Sequence, residues 1–217
     1  MQHVARLHSD IERLTRRLEV DLHNPTLYIQ RGMISFQLED ITQAIADFDH
    51  AEHFNPALTP SLWQRGIAYY YAGRFEEGAR QFEIDLTVNS HDVEETVWRY
   101  LCQAQIQGVP AARAALLPVR HDPRPVMGWV YQLFAGACDA EAVIAQHRDA
   151  GRRERFYSQL YVGLYCEAAG EEAGARRHIT QAAEMQVWDD YMGWVAHVHQ
   201  RLRGWAPSPR EIEDKTA

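Results

Sequence analysis

Apolar positions recur along this chain at helical spacing. Over residues 3–20, Val4, Leu7, Ile11, Leu14 and Leu18 fall at intervals of three and four, which lines one narrow seam of a helix, while Arg13, Arg16 and Arg17 take other faces. Asn24-Pro25 ends this helix and opens the next, because the residue before proline is pushed out of the helical region and Pro25 suits a first helical position. From 25 to 58 the pattern reads helix, break at Glu39-Asp40, helix, then Phe54-Asn55-Pro56; from 59 to 92 it repeats, with the break at Ala72-Gly73-Arg74.

The repetition is also literal. Gln30-Arg31-Gly32 returns as Gln64-Arg65-Gly66, and Phe48 and Asn55 return as Phe82 and Asn89, an offset of 34 residues. A period of that length belongs to stacked helical hairpins. Such a unit cannot bury its apolar face alone, so copies lean on one another and leave a curved surface whose usual work is holding another protein.

After Asp92 the register decays. Residues 93–108 predict the first helix of a third unit, with Trp98, Leu101 and Ile106 apolar, but Tyr100 stands where the earlier copies have Gly. A shortened second helix is predicted at 109–119. His121-Asp122-Pro123-Arg124-Pro125 reads as a turn into a helix carrying Trp129, Leu133 and Phe134, and a further helix follows near 139–147 with Asp139 as its N-cap. The pattern returns at 156–186, where Gly163, Gly170, Ala175, Ile179 and Ala182 take repeat positions. A closing helix follows at 189–202 and a loose polar tail from Pro207. Gly66 and Gly163 are 97 residues apart, short of three periods, so the middle is a remodelled pair of units. The predicted fold is an all-α right-handed superhelix of αα-hairpins with a degenerate middle and capping helices. Its parts are a capping or dimerisation helix at 1–24, two clear units at 25–92, degenerate helical repeats at 93–155, a unit plus closing helix at 156–206, and the tail at 207–217.

These segments resemble tetratricopeptide repeats. The family's small-residue and aromatic positions fall on Gly32, Ala44, Phe48, Ala51 and Pro56 in the first copy and on Gly66, Gly78, Phe82, Asp85 and Ser90 in the second. Asp85 and Ser90 depart from the family choice, so the second copy is expected to close less tightly. Small residues let helices cross closely, with Phe48 and Phe82 filling the adjoining gap. Arg31, Arg65 and Arg99 share the spacing; each is expected to lay its stem on the hairpin and turn its head toward an acid such as Asp47. The layout is similar to bacterial lipoprotein adaptors of the new-lipoprotein-I type, on Arg65-Gly66-Ile67-Ala68-Tyr69-Tyr70-Tyr71-Ala72-Gly73-Arg74 and Val97-Trp98-Arg99-Tyr100-Leu101. That resemblance implies an adaptor delivering substrates to a protease or hydrolase. The lipid-attachment cysteine of that family has no counterpart near Met1.

Charge narrows the partners. The 217 residues carry a formal charge of −8, and between Phe36 and Glu95 twelve Asp and Glu face three Arg, which argues against nucleic acid. No stretch approaches the length and apolarity of a membrane span, and the opening residues lack a secretory leader's apolar core. The expectation is a cytoplasmic protein, or an organellar or periplasmic one if a leader was removed. Cys102, Cys138 and Cys166 have no metal spacing and read as small buried hydrophobes in a reducing compartment.

The resemblance implies where a partner would lie. The family's concave wall maps onto Ile29, Met33 and Phe36, then Trp63, Ile67, Tyr70 and Tyr71, then Trp98 and Leu101, an apolar and aromatic face. Places that hold Lys, Asn and Arg in carboxylate-gripping relatives are Ile29, Met33, Gln64, Glu94 and Trp98 here, which disfavours that ligand. Either the wall takes an amphipathic helix or apolar peptide anchored by Trp63 and Trp98, or the chain's own first helix, closing helix or a second copy covers it. The Val4, Leu7, Ile11, Leu14, Leu18 seam either packs on its own repeats or forms a homodimer.

Chemistry finds little support. His50 and His53 are one turn apart beside Asp47, Asp49 and Glu52, but that stretch is the polar side of a second helix, so no metal is expected; His197 and His199 point to different faces. Lys215 is the single lysine, and P-loop, G-x-S-x-G and G-x-G-x-x-G motifs are absent. The chain is read as a non-catalytic scaffold without cofactor, with an enzyme of dispersed site residues as a further alternative.

Overall fold

Capping side chains set the helix starts. Asn24 accepts from the amides of Thr26 and Leu27, Asp40 from Gln43, Asp92 from Glu94 and Asp190 from Met192, each satisfying donors that a helix N-terminus leaves open. The computed structural model describes residues 2–119 and 122–206; the tail expected at 207–217 and His121 of the expected turn lie outside the described residues. Among these are twelve α-helices: α1 Gln2–Val20, α2 Pro25–Gln37, α3 Ile41–Phe54, α4 Trp63–Tyr71, α5 Phe75–Asp85, α6 Val93–Gln107, α7 Val109–Ala114, α8 Pro125–Ala135, α9 Ala140–His147, α10 Arg152–Ala168, α11 Glu172–Glu184 and α12 Tyr191–Leu202, with a 3₁₀ turn at Pro56–Ser61. No strand occurs among the described residues. The described residues are all-α and built of helical hairpins, α2 with α3 and α4 with α5 in one part of the chain and α10 with α11 in another.

These three hairpins turn alike. Asp40 N donates to Ser35 O at 2.9 Å, Arg74 N to Tyr69 O at 2.9 Å, and Glu171 N to Cys166 O at 2.8 Å, and the preceding residues Glu39, Gly73 and Gly170 all have left-handed backbones. Glycine adopts that conformation without steric cost; Glu39 does not, which makes the first turn the strained one.

Close approach of the paired helices explains the small residues. A Cβ added to Gly32 would lie 3.1 Å from Phe48, one on Gly66 2.7 Å from Phe82, and one on Gly163 2.8 Å from Ile179. Phe82 thus lies at least as close to Gly66 as Phe48 does to Gly32, with Asp85 and Ser90 at the departing positions. Asp85 is accommodated through a hydrogen bond from Gln81.

The arginines at the repeat spacing form a ladder. Each guanidinium reaches the helix sixteen residues ahead and the helix sixteen residues behind: Arg31 to Asp47 and Thr15, Arg65 to Gln81 and Asp49, Arg99 to the Ala115 carbonyl and Glu83. Thr15 thus occupies the register of Asp49 and Glu83, and α1 is the second helix of a preceding half-unit. Its seam follows suit. Leu7, Leu14 and Leu18 are buried within the chain, Leu14 and Leu18 in one cluster with Leu27, Tyr28 and Ala51, while Ile11 is half-buried and Val4 exposed. Only Val4 and part of Ile11 remain for a second copy.

Several elements are shorter than predicted. The first helix of the second unit begins at Trp63 instead of near 59, because Pro56 and Pro60 hold the approach in a 3₁₀ turn. The helix α7 ends at Ala114 instead of 119. Tyr100, in place of Gly, is buried edge-on to Phe134 of α8 at 5.0 Å, so bulk occupies the gap that a close helix crossing needs.

The chain divides into two compact units between Asp139 and Ala140. This boundary falls inside the 93–155 stretch, because α9 packs on α10 whereas α8 packs on α6. In the second unit α11 packs on both α10 and α12, and the end of α12 is tied down by Glu167, which lies against His199 and Arg203.

Candidate protein-binding wall

The helices α2, α4 and α6 carry the residues expected to form a wall, and four of the aromatic ones, Phe36, Tyr70, Tyr71 and Trp98, meet. Phe36 and Tyr71 have ring centroids 5.6 Å apart, Tyr71 and Trp98 6.3 Å, Tyr70 and Trp98 5.4 Å, and Tyr70 and Tyr71 5.4 Å. Edge-on and tilted contacts of this kind favour one fixed arrangement over a loose apolar pool. Phe75 and Phe82 extend the cluster behind, at 5.7 Å from Tyr70 and 6.5 Å from Trp98.

Burial sorts these residues into two layers. Phe36, Ile67, Tyr70, Trp98 and Leu101 are buried, and Trp98 at 1% exposure has no face free for a partner. Ile29, Met33, Trp63 and Tyr71 are partly exposed. Ile29 also packs against the Leu14 to Ala51 cluster, and Met33 Sδ lies 4.0 Å from Gln64 Nε2. Of the two tryptophans expected as anchors, only Trp63 is placed to touch another molecule; Trp98 supports the rings beneath.

The charged side chains around these helices are mostly engaged with each other. Arg31 holds the fully buried Asp47 through two bonds, at 2.9 and 2.7 Å, and the Asp47 hydrogen bond raises the arginine's pKa. Arg65, buried to 6% side-chain exposure, bonds Gln81 twice and also reaches Glu52 and Asp49. Arg74 pairs with Glu77 on the surface and lies over the Tyr69 ring at 4.4 Å. Burial drives Tyr69 up to about 12 despite Arg65 nearby, so its hydroxyl stays protonated.

Other candidates from the sequence read differently in space. His50 stacks on Tyr28 at 5.0 Å and its Nδ1 lies 2.7 Å from the Ala46 carbonyl; His53 packs edge-on to Phe54 at 5.1 Å. Both rings thus extend an aromatic surface on α3. Among the described residues no group of three or more His, Cys, Asp or Glu side chains is arranged so that it could hold a metal ion. Cys102 and Cys166 are buried, and burial pushes the Cys166 thiol up, which keeps it unreactive. Among the described residues no helix is long and apolar enough to cross a membrane.

The expectation that Arg65 turns its head toward an acid is met by Glu52 and Asp49, while one buried acid was missed. The burial of Glu95 had no signal, since it reads as an ordinary acid in the first turn of α6.

No family model matches the chain. A stretch of 98 residues, 45% of the chain, is 28% identical to a curated relative, the protein SGT1 homolog of Bos taurus, and spans 29% of that relative's length. The hairpin repeat seen here is compatible with a tetratricopeptide-like fold.

Proposed function

We propose that this chain is a non-catalytic adaptor that holds an apolar or amphipathic segment of another protein against the wall formed by α2 and α4. The observation that carries the reading is the two-layer wall itself: a fixed cluster of buried rings under a partly exposed row of Ile29, Met33, Trp63 and Tyr71. A rigid aromatic surface gives contact area at low entropic cost, because its rings are already ordered before a partner arrives. The helical-hairpin repeat and the partial similarity to the SGT1 homolog both accord with a protein-interaction adaptor. The acidic balance of 36–95 favours a segment whose polar face carries Lys or Arg.

Site-specific crosslinking tests this. A photoreactive phenylalanine analogue at Met33 should give adducts with a partner that the same probe at exposed Val88 does not, and a peptide of that partner should compete. Equal adduct patterns from the two positions would remove the wall from the account.

A further inference from the structure

Asp85 ends α5 and Glu95 sits in the first turn of α6, and both are inside the first unit, at 0% and 6% exposure. Asp85 takes the repeat position that Ala51 holds one period earlier, so a carboxyl stands where the preceding hairpin has a methyl group. Each carboxyl is half satisfied. Asp85 Oδ1 accepts from Gln81 Nε2 at 2.7 Å and Glu95 Oε1 from Asn89 Nδ2 at 3.2 Å, while Asp85 Oδ2 and Glu95 Oε2 are sealed from solvent with no hydrogen-bond partner. An ionised carboxylate in either place would keep its charge in a poorly solvating interior with one neutral donor.

The surrounding charges do not relieve them. On α4, Arg65 acts on Asp85 but is bonded to Glu52, Asp49 and Gln81. On α5, Glu83 pairs with Arg99 of α6, whose guanidinium also reaches the Ala115 carbonyl. Arg124, ahead of α8, holds Asp92, Glu94 and Asp122. Tyr69 lies over Arg65 and Arg74, and His91 is exposed in the α5–α6 connection. Arg113 of α7 lies against Gly136, and the 3₁₀ turn brings no titratable group. The groups that act on Glu95 by charge are all acids: Asp85, Asp92 and Glu94.

We propose that Asp85 and Glu95 form a proton-operated latch on the α5–α6 contact, closed when both carboxyls carry protons and loosened when the medium turns alkaline and they lose them. Burial raises Asp85 to about 7, against the Gln81 bond and Arg65; it raises Glu95 to about 8, against the Asn89 bond and with the neighbouring acids adding to the rise. The folded chain therefore keeps protons that the unfolded chain releases from about pH 4 upward. Stability from the latch is complete below that point and is lost as pH climbs through about 7 to 8. Trp98 follows Glu95 by about one turn of α6 and contacts Tyr70, so opening reaches the buried ring layer. The latch stands whether or not the wall holds a partner.

Thermal unfolding of the full chain at about pH 5 and about pH 8.5, followed by circular dichroism, tests it. The unaltered chain should melt lower at the alkaline pH by about 5 °C or more, and the Asp85→Asn, Glu95→Gln double variant should lose at least half of that difference. Other groups, such as His178, whose pKa burial lowers, are common to both proteins and cancel in the comparison. An unaltered chain that melts equally or higher at alkaline pH overturns the proposal, as does an undiminished difference in the double variant. Carbon-13 carboxyl titration of the unaltered chain keeps the test independent of how the variants fold: midpoints near 7 and 8 are expected, and midpoints below about 5 for both residues overturn it.

Discussion

Arg65 and Gln81 are joined twice, Nε and Nη2 donating to the same Oε1 at 2.9 and 2.7 Å, while the far side of the guanidinium reaches Glu52 and Asp49 of the preceding hairpin. One side chain thus ties consecutive hairpins at a buried point. Removing it leaves the buried Gln81 oxygen without its donor and strips the stem from the hairpin, while Glu52 and Asp49 are partly exposed to water, so Arg65→Ala is expected to cost about 2–4 kcal/mol. Arg74→Ala, which breaks an exposed pair, should cost no more than about 1 kcal/mol. Urea unfolding of both variants makes the comparison, and equal small losses would show that the ladder is ornamental.

Close approach at the hairpin crossings gives a second expectation. A methyl group at Gly66 or Gly163 must displace Phe82 or Ile179, so either substitution by Ala should destabilise by about 1–3 kcal/mol. Gly128 lies in α8 with nothing within 4 Å of an added Cβ, and Gly128→Ala should be neutral or stabilising by up to about 1 kcal/mol. Pairing Gly66→Ala with Phe82→Leu should recover part of the loss, which a double-mutant cycle measures.

Acid should act on the second unit through Glu167. Burial alone would raise this carboxyl, but hydrogen bonds and charge from His199 and Arg203 outweigh it and hold it at about 2. A depressed carboxylate adds stability that is present above its ordinary value near 4.5 and lost as pH falls from there toward 2. Acid unfolding of Glu167→Gln should begin from a lower neutral-pH stability and show a shallower decline below about pH 4.5 than the unaltered chain. Parallel curves would leave Glu167 without this role.

Much of the fold was legible because hairpin stacking writes itself into spacing. Gly32, Gly66 and Gly163 mark helix crossings, Phe48, Phe82 and Ile179 fill them, and the breaks at Asp40, Arg74 and Glu171 all follow left-handed turn residues. Of the residues expected on one face, Phe36, Tyr70, Tyr71 and Trp98 have their rings in contact. Depth differs between the two tryptophans expected as anchors. Trp98 falls one place past Val97, the counterpart of Trp63 at the 34-residue offset, and shares the buried position of Gln64, whereas Trp63 is partly exposed. The half-unit register of α1 was not legible: its seam fits a shared coil as well as a solenoid cap, and only the Arg31 to Thr15 bond reveals the phase. Asp85 was noticed as a departure from the repeat, but the buried unpartnered oxygen that it brings has no signal in the spacing.

The adaptor account rests on Trp63 being contact surface more than core. The most direct measurement sets partner capture by purified Trp63→Ala protein beside its melting temperature. The account predicts capture reduced about tenfold or more, as for a central aromatic anchor, with a melting temperature lowered by no more than about 4 °C. Undiminished capture together with a large fall in melting temperature would contradict it.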